Sequence, residues 1–251
     1  MTNLSLGAAI YYDTDLSTDP AALRTLWEAL TQEIQAPLIQ WTGTVSQVGK
    51  KGPLDLAKLD HAVASGDCAT AAIETAASGL LVLSHTTPAA RLKEPLVPRP
   101  WRYDTAVAIS GELLSPLGRQ QAVEAIVGFA DAVAAKAGVV YWTDSVAFAS
   151  ALATGGLGSG MTSEQEHTAR DSHDLSNHWG RIIRGPAWGT LLGAAHVAKL
   201  GDVTRLPATR VMPLNSGGAF VQLTEIDDAV SIDEPSPELE QLRAALAPVL
   251  P

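Results

Sequence analysis

Cysteine is almost absent: Cys68 is the only one in 251 residues, which excludes an intramolecular disulfide and any zinc or iron–sulfur centre built on several thiolates. Aromatics are sparse at 5%, and positive charge is short, with 17 Lys+Arg against 27 Asp+Glu for a formal charge of −10. That sign is wrong for a surface that must neutralise phosphates, so nucleic acid is not an expected partner. No uninterrupted apolar run reaches the ~18 residues of a membrane-spanning helix. The amino terminus has no basic opening and meets Asp13 and Asp15 early, unlike a signal peptide. Together these absences predict a cytoplasmic protein with no membrane partner. What is present is globular, 46% apolar and 18% charged, and the length suffices to bury roughly 72% of the extended chain's surface.

The chain reads as alternating strands and helices. Leu6 to Tyr12 is apolar and ends in aromatics, so a strand is expected there, and Asp19-Pro20 then offers an N-cap and a first-turn proline. Leu23, Leu26, Trp27, Leu30 and Ile34 recur at helical spacing, which predicts a helix over 20–35 with Trp27 in the core. Strands are expected at 38–45 and 79–84, with a short helix over 54–64. Between Thr86 and Tyr103 four prolines and an excess of Arg and Lys read as a connector. The opening pattern then returns: a strand at 103–109, Ser115-Pro116 as a cap, and a helical face of Val123, Ile126, Val127, Ala130 and Val133. Further on come a strand at 138–142, a glycine-rich tract at 155–160, a polar run to Asn177, and a short apolar strand at Ile182-Ile183. A helix over 190–200, a hairpin turning at Asn215-Ser216-Gly217-Gly218 and a last helix capped by Ser236-Pro237 complete the chain. The expected fold class is α/β or α+β, with two related lobes, each a mixed sheet covered by helices. The N-terminal lobe is 1–85, the proline-rich connector 86–102 and the C-terminal lobe 103–251.

Motifs for bound phosphate are missing. Gly43 is followed by five residues before Gly49-Lys50, one too many for a P-loop, and Lys51 stands where Ser or Thr would meet magnesium. The glycines at 155, 156, 158 and 160 do not fall on a dinucleotide-binding frame, and no Gly-x-Ser-x-Gly elbow is present. No cofactor is expected. The one catalytic alternative is a metal-dependent hydrolase using His167, His173 and His178 among Glu164, Glu166, Asp171 and Asp174, since imidazoles and carboxylates are the usual ligands of a hydrolytic metal. The histidine spacings of six and five do not match the i,i+4 pair that sets two rings on one helical face. A solvated polar loop with hydrogen-bonding histidines accounts for the same residues.

The strongest charge bias is at 225–240, where Glu225, Asp227, Asp228, Asp233, Glu234, Glu238 and Glu240 occur without one Lys or Arg. Such a patch solubilises, and it also steers a basic partner and rejects an acidic one. Trp101 and Trp179 stand in polar or proline-rich surroundings, which makes them interface candidates.

The C-terminal third carries a family pattern. Gly185-Pro186-Ala187-Trp188-Gly189-Thr190-Leu191-Leu192 is followed by Val197 through Leu200-Gly201, then by Gly217-Gly218 and Phe220-Val221-Gln222-Leu223. In this order, over about residues 180 to 250, the chain resembles the type VI immunity family; Asp202 stands where members often carry a second glycine. The resemblance implies a bacterial protein without catalytic activity that acts in interbacterial competition. It would neutralise a cognate type VI secretion system toxin by protein–protein interaction, as an antitoxin occluding the effector. The matched Trp188, Gly217, Gly218 and Gln222 are expected to be structural. Trp188 would pack a helix start, and both glycines would permit positive φ in the hairpin turn. Contact with the toxin effector is expected at Asp227, Asp228, Asp233, Glu234, Trp179 and His173, by a monomer or homodimer.

Overall fold

In the computed structural model, which describes residues 4–33, 40–45, 48–52, 55–65, 70–74, 79–85, 103–154, 161–167 and 186–250, the apolar run Ser5–Tyr12 forms β1, buried along its whole length. Asp19 accepts a hydrogen bond from the Ala21 amide at 3.3 Å and the chain enters α1 (Ala21–Glu33). The expected stripe is what packs: Leu23, Leu26, Trp27 and Leu30 are each no more than 1% exposed, worth roughly 1.5–3 kcal/mol per side chain. Next come β2 (Gln40–Val45), β3 (Val48–Gly52), α2 (Leu56–Ala64), β4 (Thr70–Glu74) and β5 (Leu80–His85). Strand β6 (Tyr103–Ile109) then leads to α3 (Pro116–Ala132), where the Ser115 hydroxyl accepts from the Gly118 amide at 2.9 Å, a cap worth about 1 kcal/mol. The rest comprises β7 (Ala137–Thr143), α4 (Val146–Thr154), a helical stretch at 163–167, β8 (Gly189–Leu192), α5 (Ala194–Leu200), β9 (Arg210–Pro213), β10 (Ala219–Gln222) and α6 (Pro237–Leu246). Among the described residues no helix is long and apolar enough to cross a membrane.

Of the two classes the sequence allows, α/β and α+β, the structure has α+β, but the sheets differ from expectation in number and kind. Among the described residues ten strands form one sheet in the order β3-β2-β4-β5-β6-β1-β7-β8-β10-β9, and every pairing among them is antiparallel. A mixed sheet is the natural expectation from a strand-helix-strand alternation, because a helical crossover returns the chain parallel to its start. Here β6 and β7, joined by α3, do run the same way, yet β1 lies between them and pairs antiparallel with both. The opening strand of the chain is therefore inserted between two strands of the expected C-terminal lobe, and β6 in turn lies against β5. The connector at 86–102 and the strand at Ile182-Ile183 lie outside the described residues.

Side chains alternate across the sheet, and the register assigns each to a helix. Tyr12, facing Tyr103 across the ladder, meets Phe129 of α3 edge-on at 5.7 Å, and α1 packs beside α3. On the opposite face Tyr141 lies across from Gly7 and its hydroxyl donates to the Ala149 carbonyl of α4 at 2.8 Å. Helix α4 is absent from the sequence expectations because its run Val-Ala-Phe-Ala-Ser-Ala-Leu-Ala-Thr carries no polar face to set a period.

The expected helix over 190–200 begins too early. Gly189–Leu192 pairs with β10, and only at Gly193 does the chain turn into α5. The hairpin is where the sequence puts it, but the two glycines do different work. Gly217 has φ +84, whereas Gly218 is needed because a Cβ there would sit 2.5 Å from the Leu192 carbonyl oxygen of the neighbouring strand.

Candidate functional site: an acidic rim over two tryptophans

Trp142 is the penultimate residue of β7 and Trp188 immediately precedes β8, so the antiparallel pairing of these strands brings both indoles to one end of the pair. Their rings meet edge to face, centroids 5.6 Å apart and planes at 76°, the arrangement that aligns the positive ring edge with the negative ring face. Over this pair runs the acidic segment. The Leu223 amide donates to the Trp188 carbonyl and the Ile232 amide to the Trp142 carbonyl, both at 2.8 Å. Each end of the intervening loop is thus tied to the main chain of one tryptophan.

Side chains reinforce these ties. The Trp188 indole donates to the Thr224 hydroxyl at 3.1 Å, and the buried Gln222 amide donates to the Thr224 carbonyl at 2.9 Å. Trp188 and Gln222 therefore support the segment from below. Trp188 packs on the Trp142 indole at the strand mouth and lines one cleft with Ser236 and Leu239 at the start of α6. Between the ties Ile226–Asp228 forms a 3-10 turn that turns its carboxylates outward.

Glu225, Asp227, Asp228, Asp233, Glu234, Glu238 and Glu240 are all exposed. Glu240 pairs with Arg243 at 2.8 Å; among the described residues no Lys or Arg forms an ion pair with Asp227, Asp228, Asp233 or Glu234. Asp233 lies beside Gln165, Asp144 and Glu164. Crowding by protein removes water from its carboxylate, the neighbouring negative charges add to this, and the acid is held above its ordinary value although the Gln165 amide opposes the shift. Two sequence candidates thus meet in space: the acidic segment touches the start of the polar run that follows the glycine-rich tract.

Beneath the rim is a small cleft, open to solvent, of about 30 Å³. Tyr141, Trp142, Trp188 and Leu223 form its walls, with Val230 and Glu234 at the mouth. Val230 is one of two large apolar residues well exposed among those described, at 42%. Ser231, also in the wall, is 1% exposed and its hydroxyl has no hydrogen-bond partner among the described residues. On the α3 side the Arg119 guanidinium stands 5.9 Å from the Trp142 ring centroid, a cation–π distance. The cleft was not legible in advance: Trp142 reads as a strand residue, and its meeting with Trp188 depends on a pairing 46 residues apart in sequence.

Of the expected contact residues, Asp227, Asp228, Asp233 and Glu234 stand on one exposed rim, while Trp179 and His173 lie outside the described residues, as does Trp101. His167 is exposed at the end of the helical stretch 163–167, and His178 lies outside the described residues. Among the described residues no group of three His, Cys, Asp or Glu side chains is placed to hold a metal ion.

No family model matches the chain, and no curated protein does either. Among solved structures it is similar to the Pseudomonas aeruginosa T6SS protein PA0821, with a TM-score of 0.61 at 15% identity over 98% of this chain and 73% of that one. At that identity the likeness is one of fold, and it extends along nearly the whole chain.

Proposed function

We propose that this chain is an immunity protein of a type VI secretion system, which binds a cognate toxin effector in the cytoplasm and neutralises it by covering its working surface. It acts by stoichiometric binding and not by turnover. The observation that carries the reading is the acidic rim. Four carboxylates, those of Asp227, Asp228, Asp233 and Glu234, stand exposed without a basic partner among the described residues, two on the loop tied at both ends to the sheet and two directly after its second tie. A charged surface held in one shape loses little entropy on binding and accelerates encounter with a basic partner. The likeness of fold to a T6SS protein and the sequence pattern around Trp188 and Gln222 favour the same conclusion.

The test is capture of the purified chain's partner from a lysate of its host in which the secretion system's effectors are expressed, followed by co-production of the captured effector with this protein. One effector should be retained in equimolar amount and released by high salt, and co-production should restore growth. An effector-containing lysate that yields no effector, or a captured effector whose toxicity persists on co-production, overturns the reading.

A further inference from the structure

Resting on that reading of the rim as a partner surface, we infer that the cleft beneath it is an anchor site for one lysine or arginine side chain projecting from the partner. The walls and the mouth favour different parts of one residue type. Trp142, Trp188 and Leu223 are apolar and deep, which suits a chain of methylenes. Glu234 at the mouth is anionic, and Asp233 beside it stands among Asp144 and Glu164, which suits a cationic head. Long basic side chains have this build, an apolar stem with a charge at its tip.

Charge complementarity separates this occupant from the others a tryptophan-lined cleft accepts. A carboxylate would meet the repulsion of the whole rim, and a neutral aromatic would leave the rim's charges desolvated without compensation. Arg119 is the one described cation at Trp142, and it does not line the cleft. A single long cation seated centrally, ringed by charges that exclude water less strictly, is the arrangement in which one residue dominates an interface.

The experiment uses the full-length protein and defined probes: acetylated octa-arginine, octalysine and octaglutamate peptides, followed through the indole N–H signals of Trp142 and Trp188 and through tryptophan fluorescence. Both basic peptides should bind saturably and shift these two indoles, and octaglutamate should do neither. Glu234→Gln should weaken binding about fivefold, and Val230→Trp, which fills the mouth from an exposed position, should abolish the indole shifts. Near-ultraviolet circular dichroism checks that each variant keeps its packing. Basic peptides that bind through Asp227 and Asp228 yet leave both indoles unmoved overturn the anchor site, as does an absence of binding or a preference for octaglutamate. If the effector is captured but binds Val230→Trp and Glu234→Gln at unchanged strength, the anchor fails while the immunity reading stands. If basic peptides enter the cleft and no effector is captured, the outcome is reversed.

Discussion

On the face of the sheet that carries α4, the central strands offer the smallest side chains available; on the face that carries α3 they offer some of the largest. Gly7 and Ala9 of β1 stand beside Ala108 and Ala106 of β6, and α4 brings an alanine-rich surface of its own against them. One residue earlier or later in the same strands, Leu6, Ile10 and Tyr12 face Ile109, Thr105 and Tyr103. The small face lets a helix sit close to the backbone, and the sheet fills the gap at its margin with Tyr141, which lies over Gly7. The large face holds its helices further off and fills the space with interlocking rings and branched chains. Interiors pack to near-crystalline density, so the two faces fail in opposite ways: one by losing volume, the other by gaining it.

Removing volume from the large face should be the most damaging change. Phe129 is 3% exposed and packs edge-on against Tyr12, so Phe129→Ala is expected to cost about 4 kcal/mol, measured by denaturant unfolding. Adding volume to the small face comes next. A Cβ at Gly7 would lie 2.1 Å from a Tyr141 ring carbon, and that ring cannot swing away freely because its hydroxyl is bonded to the Ala149 carbonyl. Gly7→Ala should therefore cost about 2–3 kcal/mol by overpacking. The comparison sharpens with a second substitution: Tyr141→Leu should recover part of the loss in the Gly7→Ala background and none of it in the Phe129→Ala background. Equal recovery in both would mean that the faces are not independently packed.

How much of this was legible in the sequence follows the range of the interactions. Caps and stripes are local, so Ser115-Pro116, Ser236-Pro237 and the Leu23-to-Leu30 face were readable, and all three act as expected. The insertion of β1 between β6 and β7 was not, because strand order is set by pairings far apart along the chain and leaves no mark on periodicity. The site divides in the same way. The acidic run shows in composition alone, since carboxylates without cations are a property of neighbouring residues. The two tryptophans beneath it are brought together by the β7–β8 ladder, and the buried Ser231 precedes Ile232, whose amide is bonded to the Trp142 carbonyl. Gly217 and Gly218 sit next to each other and look equivalent as letters, yet one answers a backbone angle and the other a neighbouring strand's oxygen.

The smallest effect separates two carboxylates by sign. Asp131, on α3, accepts hydrogen bonds from the Ser216 amide at 2.8 Å and the Asn215 side chain at 2.7 Å, holding the β9–β10 turn to the large face. Partial burial opposes its ionisation, but these donors outweigh it and keep the acid below 3.8. Its contribution to stability is therefore present above that value and lost as pH falls through the lower, folded value. Asp233 faces Asp144, which leads into α4 on the small face, and its acid is held above 3.8 by desolvation and by its acidic neighbours. It penalises the folded state at neutral pH, and the penalty fades as pH falls through its raised value towards 3.8. Asp233→Asn should then raise neutral-pH stability, and Asp131→Asn should lower it, each by about 0.5 kcal/mol or less for groups so near water. In thermal melts taken at successive pH values, the first substitution should flatten the profile above pH 3.8 and the second below it. Profiles that change in the same direction would show that these two carboxylates do not feel the opposite surroundings described for them.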